Sequence, residues 1–249
     1  MNNINKNIPI IKVEGLTKMF GSFAANKDIH FEVNKGEIFC FLGANGAGKT
    51  TAIRILCGLS APTSGKVNVA GYDVYKDAEK IKLNIGYMSQ KFSLYEDLTV
   101  EENLMFYGGI YGMSRKLIKS RSEEMLNTLN MTGYAKKLIK EIPPGWKQKL
   151  AFSTAIIHKP KIVFLDEPTG GVDPITRGQF WDLIYKAIED GITVFVTTHY
   201  MDEAEYCNRI SIMVDGEIVA LDTPDNLKEK YNAESMNEVF IKLARNSTE

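Results

Sequence analysis

The chain has 249 residues, of which 44% are hydrophobic and 24% are charged, and its formal net charge is −1 at pH 7; this is the composition of an ordinary globular protein with room for one sizeable α/β domain. A near-neutral charge gives no electrostatic basis for binding nucleic acid, so that class of protein is disfavoured. No stretch reaches the roughly 18 to 20 apolar residues of a membrane span and the first ten residues lack the layout of a signal peptide, so we expect a cytoplasmic protein.

The first ninety residues predict short strands around a single helix. Runs of β-branched and aromatic residues bounded by turn residues are typical of strands. After residue 50 the periodicity becomes helical, and it ends at Cys57 and Gly58. The strands are expected at residues 10–16, 29–33, 37–43, 66–71 and 85–90.

The middle of the chain has mainly helical periodicity. Thr99 and Glu102 have the spacing of a capping box at a helix start. Another helix is predicted from Pro143-Pro144-Gly145, because proline is tolerated in a first helical turn. Its bare N-terminus could bind an anion, or it could be an ordinary helix start. Residues 95–158 are therefore expected to form a helical subdomain inserted in an α/β core.

Strand and helix patterns alternate again from residue 159 onward. Continuous apolar strands are predicted at "KIVFLDEP" and "ITVFVTTH", with a helix between them from Asp173-Pro174 to Gly191. A hairpin about Asp215-Gly216 and a helical tail from Pro224 follow. This alternation predicts a mostly parallel sheet, whose ligands gather at the carboxyl ends of the strands.

The segment "GANGAGKT", Gly43 to Thr50, matches the pattern G-x-x-x-x-G-K-[ST] between a predicted strand and a predicted helix. Its glycines let successive backbone N–H groups face one anion, Lys49 can reach the β- and γ-phosphates, and Thr50 offers a hydroxyl to Mg²⁺. The alternative is a glycine-rich turn with an incidental lysine. We favour a phosphate-binding loop because the pattern and its context agree.

Asp166 and Glu167 end a buried strand, where two adjacent acids are costly unless they meet a cation or water. We expect their side chains to point to opposite sides. Near a phosphate loop, Asp166 is placed to hold Mg²⁺, and Glu167 is placed to polarise the water that attacks a γ-phosphate. Read alone, the pair could also be a helix cap or part of a solvated loop.

Two other polar residues follow predicted strands. His199 could bond a γ-phosphate oxygen in the same crevice, although a lone histidine is more often structural. Gln90 could ligate Mg²⁺ and orient water, although an exposed loop glutamine is the ordinary interpretation. The candidate catalytic residues are Lys49, Glu167 and His199, and the candidate metal ligands are Thr50, Gln90 and Asp166.

Taken in order, these motifs resemble the nucleotide-binding subunit of ABC transporters over about residues 10–243. The resemblance also uses a signature region at residues 142–148 and the segment "GGVDP" after Glu167. It implies an α/β fold with a P-loop NTPase core and a mixed, largely parallel sheet, an N-terminal antiparallel β subdomain and the inserted helical subdomain. The single domain, residues 1–249, would divide into a core at about 8–94 and 159–222, a helical subdomain at about 95–158 and a helical tail at about 223–249.

The resemblance implies ATP and Mg²⁺ as ligands. Phe20 would stack on adenine, although a lone phenylalanine there would otherwise be assigned to the core. Asp173 would touch a partner subunit, although it is otherwise the cap before Pro174. The residues expected to bind ATP are Phe20, Gly43, Ala44, Asn45, Gly46, Ala47, Gly48, Lys49, Thr50 and Thr51.

In that family two subunits sandwich two ATP molecules, and each nucleotide meets the signature helix of the other subunit. The usual signature is Leu-Ser-Gly-Gly-Gln, whereas the aligned residues here are Ile142, Pro143, Pro144, Gly145 and Trp146. Pro143 lacks the hydroxyl and Pro144 lacks an N–H, but Gly145 and the helix dipole stay available to an anion. A lost hydrogen bond to a charged group costs roughly 1.5 to 3 kcal/mol, so weakened closure is expected.

The segments "GWKQKLA", "LYEDLTVEENLMFYGGIYG" and "MNEVFIKL" resemble subunits of ABC-2-type exporters. The expected function is an ATPase that dimerises on ATP, with a second copy or another ABC subunit, and powers a separate permease at the inner face of the membrane. The permease would be contacted near Gln90 to Asp97, through Phe92, Leu94 and Tyr95. The alternatives are a non-transport or weakly hydrolysing regulatory ABC module, and an unrelated P-loop kinase or GTPase, which would leave the signature region and His199 unexplained.

Overall fold

The computed structural model of the chain describes residues 8–90 and 94–246. Its strands form a four-stranded sheet and a six-stranded sheet. The strands are β1 Ile11–Phe20, β2 Phe23–Val33, β3 Ile38–Leu42, β4 Ser64–Val69, β5 Tyr72–Asp73, β6 Ile85–Met88, β7 Ile162–Asp166, β8 Thr193–Thr198, β9 Arg209–Val214 and β10 Glu217–Asp222.

The helices follow the strands in the alternation that the sequence predicts. Two short 3-10 turns, Thr132–Tyr134 and Ile139–Glu141, lie among them. Among the described residues, no helix combines the length and the apolar composition that crossing a membrane requires. The helices are α1 Lys49–Leu56, α2 Ala78–Asn84, α3 Val100–Ile110, α4 Arg115–Thr128, α5 Pro144–Ile156, α6 Pro174–Glu189, α7 Met201–Ala204, α8 Pro224–Lys230 and α9 Met236–Asn246.

The four-stranded sheet is antiparallel, in the order β2-β1-β4-β5. β1 and β2 form a hairpin that turns at Gly21 and Ser22 and pairs Phe20 with Phe23. Both strands are longer than the sequence predicts. Their ends next to the turn carry mostly exposed or half-buried side chains, so they lack the apolar alternation from which a strand is recognised.

The six-stranded sheet has the order β10-β9-β3-β8-β7-β6 and is parallel except for β10. The carboxyl ends of β3, β8, β7 and β6 therefore lie side by side at one edge. The segments that follow these ends carry the phosphate loop, His199, Glu167 and Gln90. The strand order thus brings the predicted functional segments together.

Side chains on opposite faces of the six-stranded sheet enter two different core clusters. Phe39 and Phe41 pack with α1 and the four-stranded sheet, whereas Cys40 and Leu42 pack with helices α3 to α6. Two-sided burial explains why the strands of this sheet are continuous apolar runs.

The mixed sheet, the antiparallel β subdomain and the helices between β6 and β7 confirm the predicted fold class. The predicted capping box is present at the start of α3, where Thr99 and Glu102 bond each other's backbone. The sequence interpretation missed β5, α2 and α7, which are too short to show a period. The proposed division at about residues 95, 159 and 223 stays a prediction.

Candidate functional site

The loop between β3 and α1 has the backbone shape that an anion cradle needs. Gly46 and Gly48 have φ angles of 85° and 99°, which residues with a Cβ atom rarely adopt. A Cβ at Gly48 would also collide with the carbonyl oxygen of Ala25. Glycine is therefore required at position 48 by both conformation and space.

Lys49 is buried and folds back over this loop. Its Nζ atom donates hydrogen bonds to the carbonyl oxygens of Gly43 at 2.7 Å and Ala44 at 3.0 Å. The same atom lies 3.3 Å from Oε1 of Glu167. The ammonium group is thus held at the loop by three oxygens and can exchange one of them for a phosphate oxygen.

Asp166 lies beside the first turn of α1. The hydroxyl groups of Thr197 and Thr50 donate to its Oδ1 atom at 2.8 and 3.1 Å. Burial raises the pKa of this carboxyl group above its usual range, and the two hydrogen bonds oppose that shift. A buried carboxylate that bonds a neighbouring hydroxyl is costly by itself and gains from a cation.

These residues fit Mg²⁺. The ion prefers oxygen ligands and usually takes one or two carboxylates together with substrate phosphates. Asp166 and Thr50 supply a carboxylate and a hydroxyl that already touch each other, and Asp166 is only 2% exposed. In residues 8–90 and 94–246 no group of three or more His, Cys, Asp or Glu side chains is placed to hold a metal ion, so the fit to Mg²⁺ rests on Asp166 and Thr50 together with substrate phosphates.

Glu167 is the centre of the site. One of its carboxylate oxygens, Oε2, accepts from Nε2 of Gln90 at 3.1 Å and lies 3.0 Å from Nδ1 of His199. The other oxygen faces Lys49. The expectation that the side chains of Asp166 and Glu167 point to opposite sides was wrong, because Glu167 has a φ of 49° and leaves the strand geometry. Both carboxylates face the phosphate loop.

His199 and Gln90 both contact Glu167 in the structure. From the sequence, the ordinary interpretations were a structural histidine and an exposed loop glutamine. Gln90 is exposed, as a loop glutamine should be, but its amide is aimed at the carboxylate. His199 is partly buried, and its ring touches the ring of Tyr200 at a centroid distance of 4.2 Å. The predicted catalytic and metal residues therefore form one contiguous group.

Phe20 lies at the end of β1 and is 56% exposed, so the alternative that it belongs to the core was wrong. The ammonium of Lys18 sits 5.1 Å from its ring centroid. Phe23, its partner across the hairpin turn, is 63% exposed and lines the cavity over the phosphate loop together with Gly46 and Lys49. Sequence reasoning missed Phe23; the signal was "FGSF", an exposed turn flanked by two aromatic residues.

The predicted signature residues begin α5, and none of them lines that cavity. Pro143 and Pro144 are exposed, and Trp146 stacks on Tyr134 with a centroid distance of 5.9 Å. A Cβ at Gly145 would lie 2.9 Å from Cγ2 of Thr176. The start of α5 is therefore packed against the start of α6.

Asp173 caps α6, as the sequence allowed. Its Oδ1 atom accepts from the N–H groups of Ile175 and Thr176 at 3.0 Å, and its Oδ2 atom accepts from the hydroxyl of Thr176 at 2.6 Å. Thr176 thus bonds Asp173 and leaves no room for a Cβ at Gly145. The two segments assigned to a partner subunit therefore lie next to each other at this threonine.

The described residues of the segment expected to meet a permease differ in exposure. Leu94 is 8% exposed and belongs to the core, which corrects its assignment to a contact surface. Tyr95 is 50% exposed and packs edge to face on Phe106 at 4.9 Å. Phe92 lies outside the described residues. Among the described residues of this region, Tyr95 and Phe106 form an exposed aromatic pair.

Comparisons with known proteins indicate the family of the chain. Residues 26–170 match the family model described as ABC transporter. The chain is similar to the probable multidrug ABC transporter ATP-binding protein YbhF of Escherichia coli (strain K12), with 46% identity over 239 residues. The alignment covers 94% of this chain and 41% of that protein, so the chain spans less than half of that relative's length.

Two further similarities cover more of the compared protein. The linearmycin resistance ATP-binding protein LnrL of Bacillus subtilis (strain 168) is 36% identical over 233 residues, which are 93% of this chain and 75% of that protein. A dimeric structure of a post-hydrolysis state of the ATP-binding cassette MJ0796, bound to ADP and Pi, has a TM-score of 0.77 and 28% identity. It covers 86% of this chain and 98% of that one.

Proposed function

This chain belongs to the family of ABC transporter ATP-binding proteins, and from that premise we propose that it hydrolyses ATP in a dimer of ATPase subunits and powers a separate membrane permease. The observation that carries the proposal is the contact of Glu167 with Lys49, Gln90 and His199 at the mouth of the phosphate loop. A carboxylate in this position can accept a proton from water that attacks a γ-phosphate.

Each residue of this group has a role in the proposed reaction. Backbone N–H groups of residues 43–51 bind the phosphates. The ammonium group of Lys49 moves from Glu167 to the phosphate oxygens and keeps its proton. Asp166 and Thr50 would hold Mg²⁺, which supplies positive charge to the phosphate oxygens when bound. Glu167 takes the proton of the attacking water, and His199 fixes the orientation of the Glu167 carboxylate.

Dimerisation is supported by the dimeric cassette to which the chain is similar. In the proposed dimer, Gly145 and the amide groups at the start of α5 face the ATP of the other subunit, and Asp173 lies at the interface. Pro143 and Pro144 supply neither a hydroxyl nor an N–H, so closure should be weaker by roughly 1.5 to 3 kcal/mol per missing bond. A weakly hydrolysing regulatory subunit is the alternative that this signature favours.

An export function is supported by the names of two similar proteins, which refer to multidrug transport and linearmycin resistance. The chain would lie at the inner face of the cell membrane, held there by the permease. Tyr95 and Phe106 form an exposed aromatic pair within or beside the predicted contact region, and such pairs suit a protein interface. Glu96 and Asp97 lie in the same segment.

The test is the behaviour of Glu167→Gln beside the wild-type chain and a matched control, Glu205→Gln, which alters an exposed ion pair with Lys228. We expect the wild type and the control to release phosphate from Mg-ATP and Glu167→Gln to bind ATP without turnover. Light scattering of Glu167→Gln with Mg-ATP should then shift from one chain mass towards two. Unchanged turnover in Glu167→Gln would overturn the assignment of the base.

A monomer with bound ATP would have a different meaning. It would show that the start of α5 does not close a homodimer unaided, and the second ATPase subunit would be sought as a different chain. A wild type that neither binds nor hydrolyses ATP would overturn the proposed function itself.

A further inference from the structure

Glu203 is a fully buried acid that the proposed reaction does not use. It lies in α7, four residues after His199, and its exposure is 0%. A buried carboxylate is costly unless charged and hydrogen-bonding partners surround it. Its partners therefore indicate what the carboxylate holds in place.

The carboxylate of Glu203 connects three separate segments. The hydroxyl of Thr198 donates to Oε2 at 2.6 Å, and the hydroxyl of Thr169 donates to Oε1. Nε of Arg177 lies 3.5 Å from Oε1, and Nη1 of the same arginine lies 3.1 Å from Asp202. The Glu203 carboxylate thus contacts three segments: the end of β8, the loop after β7 and the first turns of α6.

The contact with Thr198 fixes the backbone on both sides of His199. The Thr198 hydroxyl donates to Glu203 and accepts from the N–H of Tyr200 at 3.0 Å. His199 is the residue between these two. The carbonyl oxygen of Thr198 also accepts from the N–H of Gly43 at 3.3 Å, which joins the same segment to the phosphate loop.

The contact between Glu203 and Thr169 supports the segment that carries Glu167. Thr169 is two residues after Glu167, is 1% exposed and lies in the turn in which Gly170 donates its N–H to the carbonyl of Glu167 at 3.2 Å. The Glu203 carboxylate therefore supports the segments of both Glu167 and His199. It does so through the hydroxyls of Thr169 and Thr198 and not by direct bonds to either side chain.

We propose that Glu203 is a positioning residue, which sets the relative placement of His199 and Glu167 through the hydroxyls of Thr198 and Thr169. This inference rests on the proposed ATPase function. Its physical basis is that a small displacement of a reacting group can reduce a rate by a large factor, of the order of 10²-fold for about 1 Å. The guanidinium of Arg177, 3.5 Å from Oε1, offsets part of the cost of burying the Glu203 carboxylate.

The first test is the ATPase rate of Glu203→Gln, which keeps the side-chain volume and removes the charge. We expect kcat to fall roughly 10- to 100-fold while the affinity for ATP changes less than about twofold. Glu205→Gln, the same change two residues further along, should retain wild-type kcat. Thr198→Val, which removes the hydroxyl, should lower kcat about as much as Glu203→Gln does. Thr198→Ser, which keeps the hydroxyl, should retain nearly the wild-type kcat.

Combination with His199→Ala separates positioning from general damage. Because Glu203 acts on His199 through Thr198 and on Glu167 through Thr169, Glu203→Gln should lower kcat by a clearly smaller factor in the His199→Ala background than in the wild-type background, while a part of the effect remains. Equal effects in both backgrounds, or a loss of ATP affinity as large as the loss of kcat, would overturn the proposal.

A second measurement does not depend on turnover. Hydrogen exchange of the Tyr200 amide, which bonds the Thr198 hydroxyl, should accelerate about tenfold or more in Glu203→Gln under conditions where both chains are fully folded. Unchanged protection there would overturn the proposal. If the wild type shows no ATPase activity, the proposed function fails, while the exchange result still decides whether Glu203 fixes the His199 segment.

Discussion

The Nζ atom of Lys49 lies 3.3 Å from Oε1 of Glu167, and the two side chains are 3% and 8% exposed. The lysine expected to bind phosphate and the carboxylate expected to activate water therefore neutralise each other. Binding ATP would exchange one anionic partner of Lys49 for another, and Glu167 would be released to act on water. The pair links nucleotide binding to the availability of the base.

This contact predicts non-additive stability effects. Lys49→Met leaves Glu167 and Asp166 adjacent without the ammonium group and should destabilise the chain. Adding Glu167→Gln should recover part of the loss, with a coupling free energy of about 0.5 to 3 kcal/mol. Urea denaturation of the four chains without nucleotide measures it. Additive free energies of unfolding would mean that the pair makes no net contribution.

Asp166 predicts a pH-dependent effect. Because burial raises its pKa, the stability associated with this group is complete below its unfolded-state pKa and is lost as the pH rises through the raised value. Asp166→Asn has no carboxyl group to ionise, so its stability does not fall with rising pH for this reason. Its Tm relative to the wild type should therefore rise from about pH 4 to pH 7, by about 2 to 4 °C per kcal/mol. Thermal melts across that range test this, and a constant difference would contradict it.

Phe23 predicts a second aromatic contribution to nucleotide binding. It lines the cavity over the phosphate loop beside Phe20 in the hairpin. Stacking on an aromatic ring is worth about 1 to 3 kcal/mol per base, so Phe23→Ala should weaken ATP binding about 5- to 150-fold. Phe23→Trp should bind almost normally, and Phe106→Ala is the control, because Phe106 is exposed and does not line this cavity. Displacement of a fluorescent nucleotide measures each Kd; wild-type affinity in Phe23→Ala would exclude the ring from the site.

Gly145 predicts a packing conflict between α5 and α6. Gly145→Ala would place a Cβ 2.9 Å from Cγ2 of Thr176, whose hydroxyl bonds Asp173. Overpacking of this kind costs about 1 to 3 kcal/mol. Thr176→Ser removes that methyl and keeps the hydroxyl, so the double variant should recover most of the stability. Gly178→Ala, in open space on α6, should instead stabilise the chain by about 0.5 to 1 kcal/mol. Chemical denaturation compares all four changes, and a neutral Gly145→Ala would refute the conflict.

Much of the architecture could be predicted from local pattern. The phosphate loop is fixed by glycine conformation and a lysine at set spacing, and β7 is an apolar run that ends at Asp166, with Glu167 directly after it. The start of α5 follows from proline chemistry, and the start of α3 follows from its capping box. Each of these signals lies within a few residues, where backbone preference and burial act directly.

The sequence by itself determined the local conformation of the phosphate loop and predicted which segments would carry metal and base chemistry; only the tertiary structure decided how these segments meet. Glu167 bonds His199 across 32 residues and Gln90 across 77, and both contacts depend on the order β8-β7-β6. Glu203 reaches Thr169 across 34 residues for the same reason. Local sequence sets the conformation of a segment, but side chains far apart in the chain come into contact only when burial of the sheet faces selects one strand order.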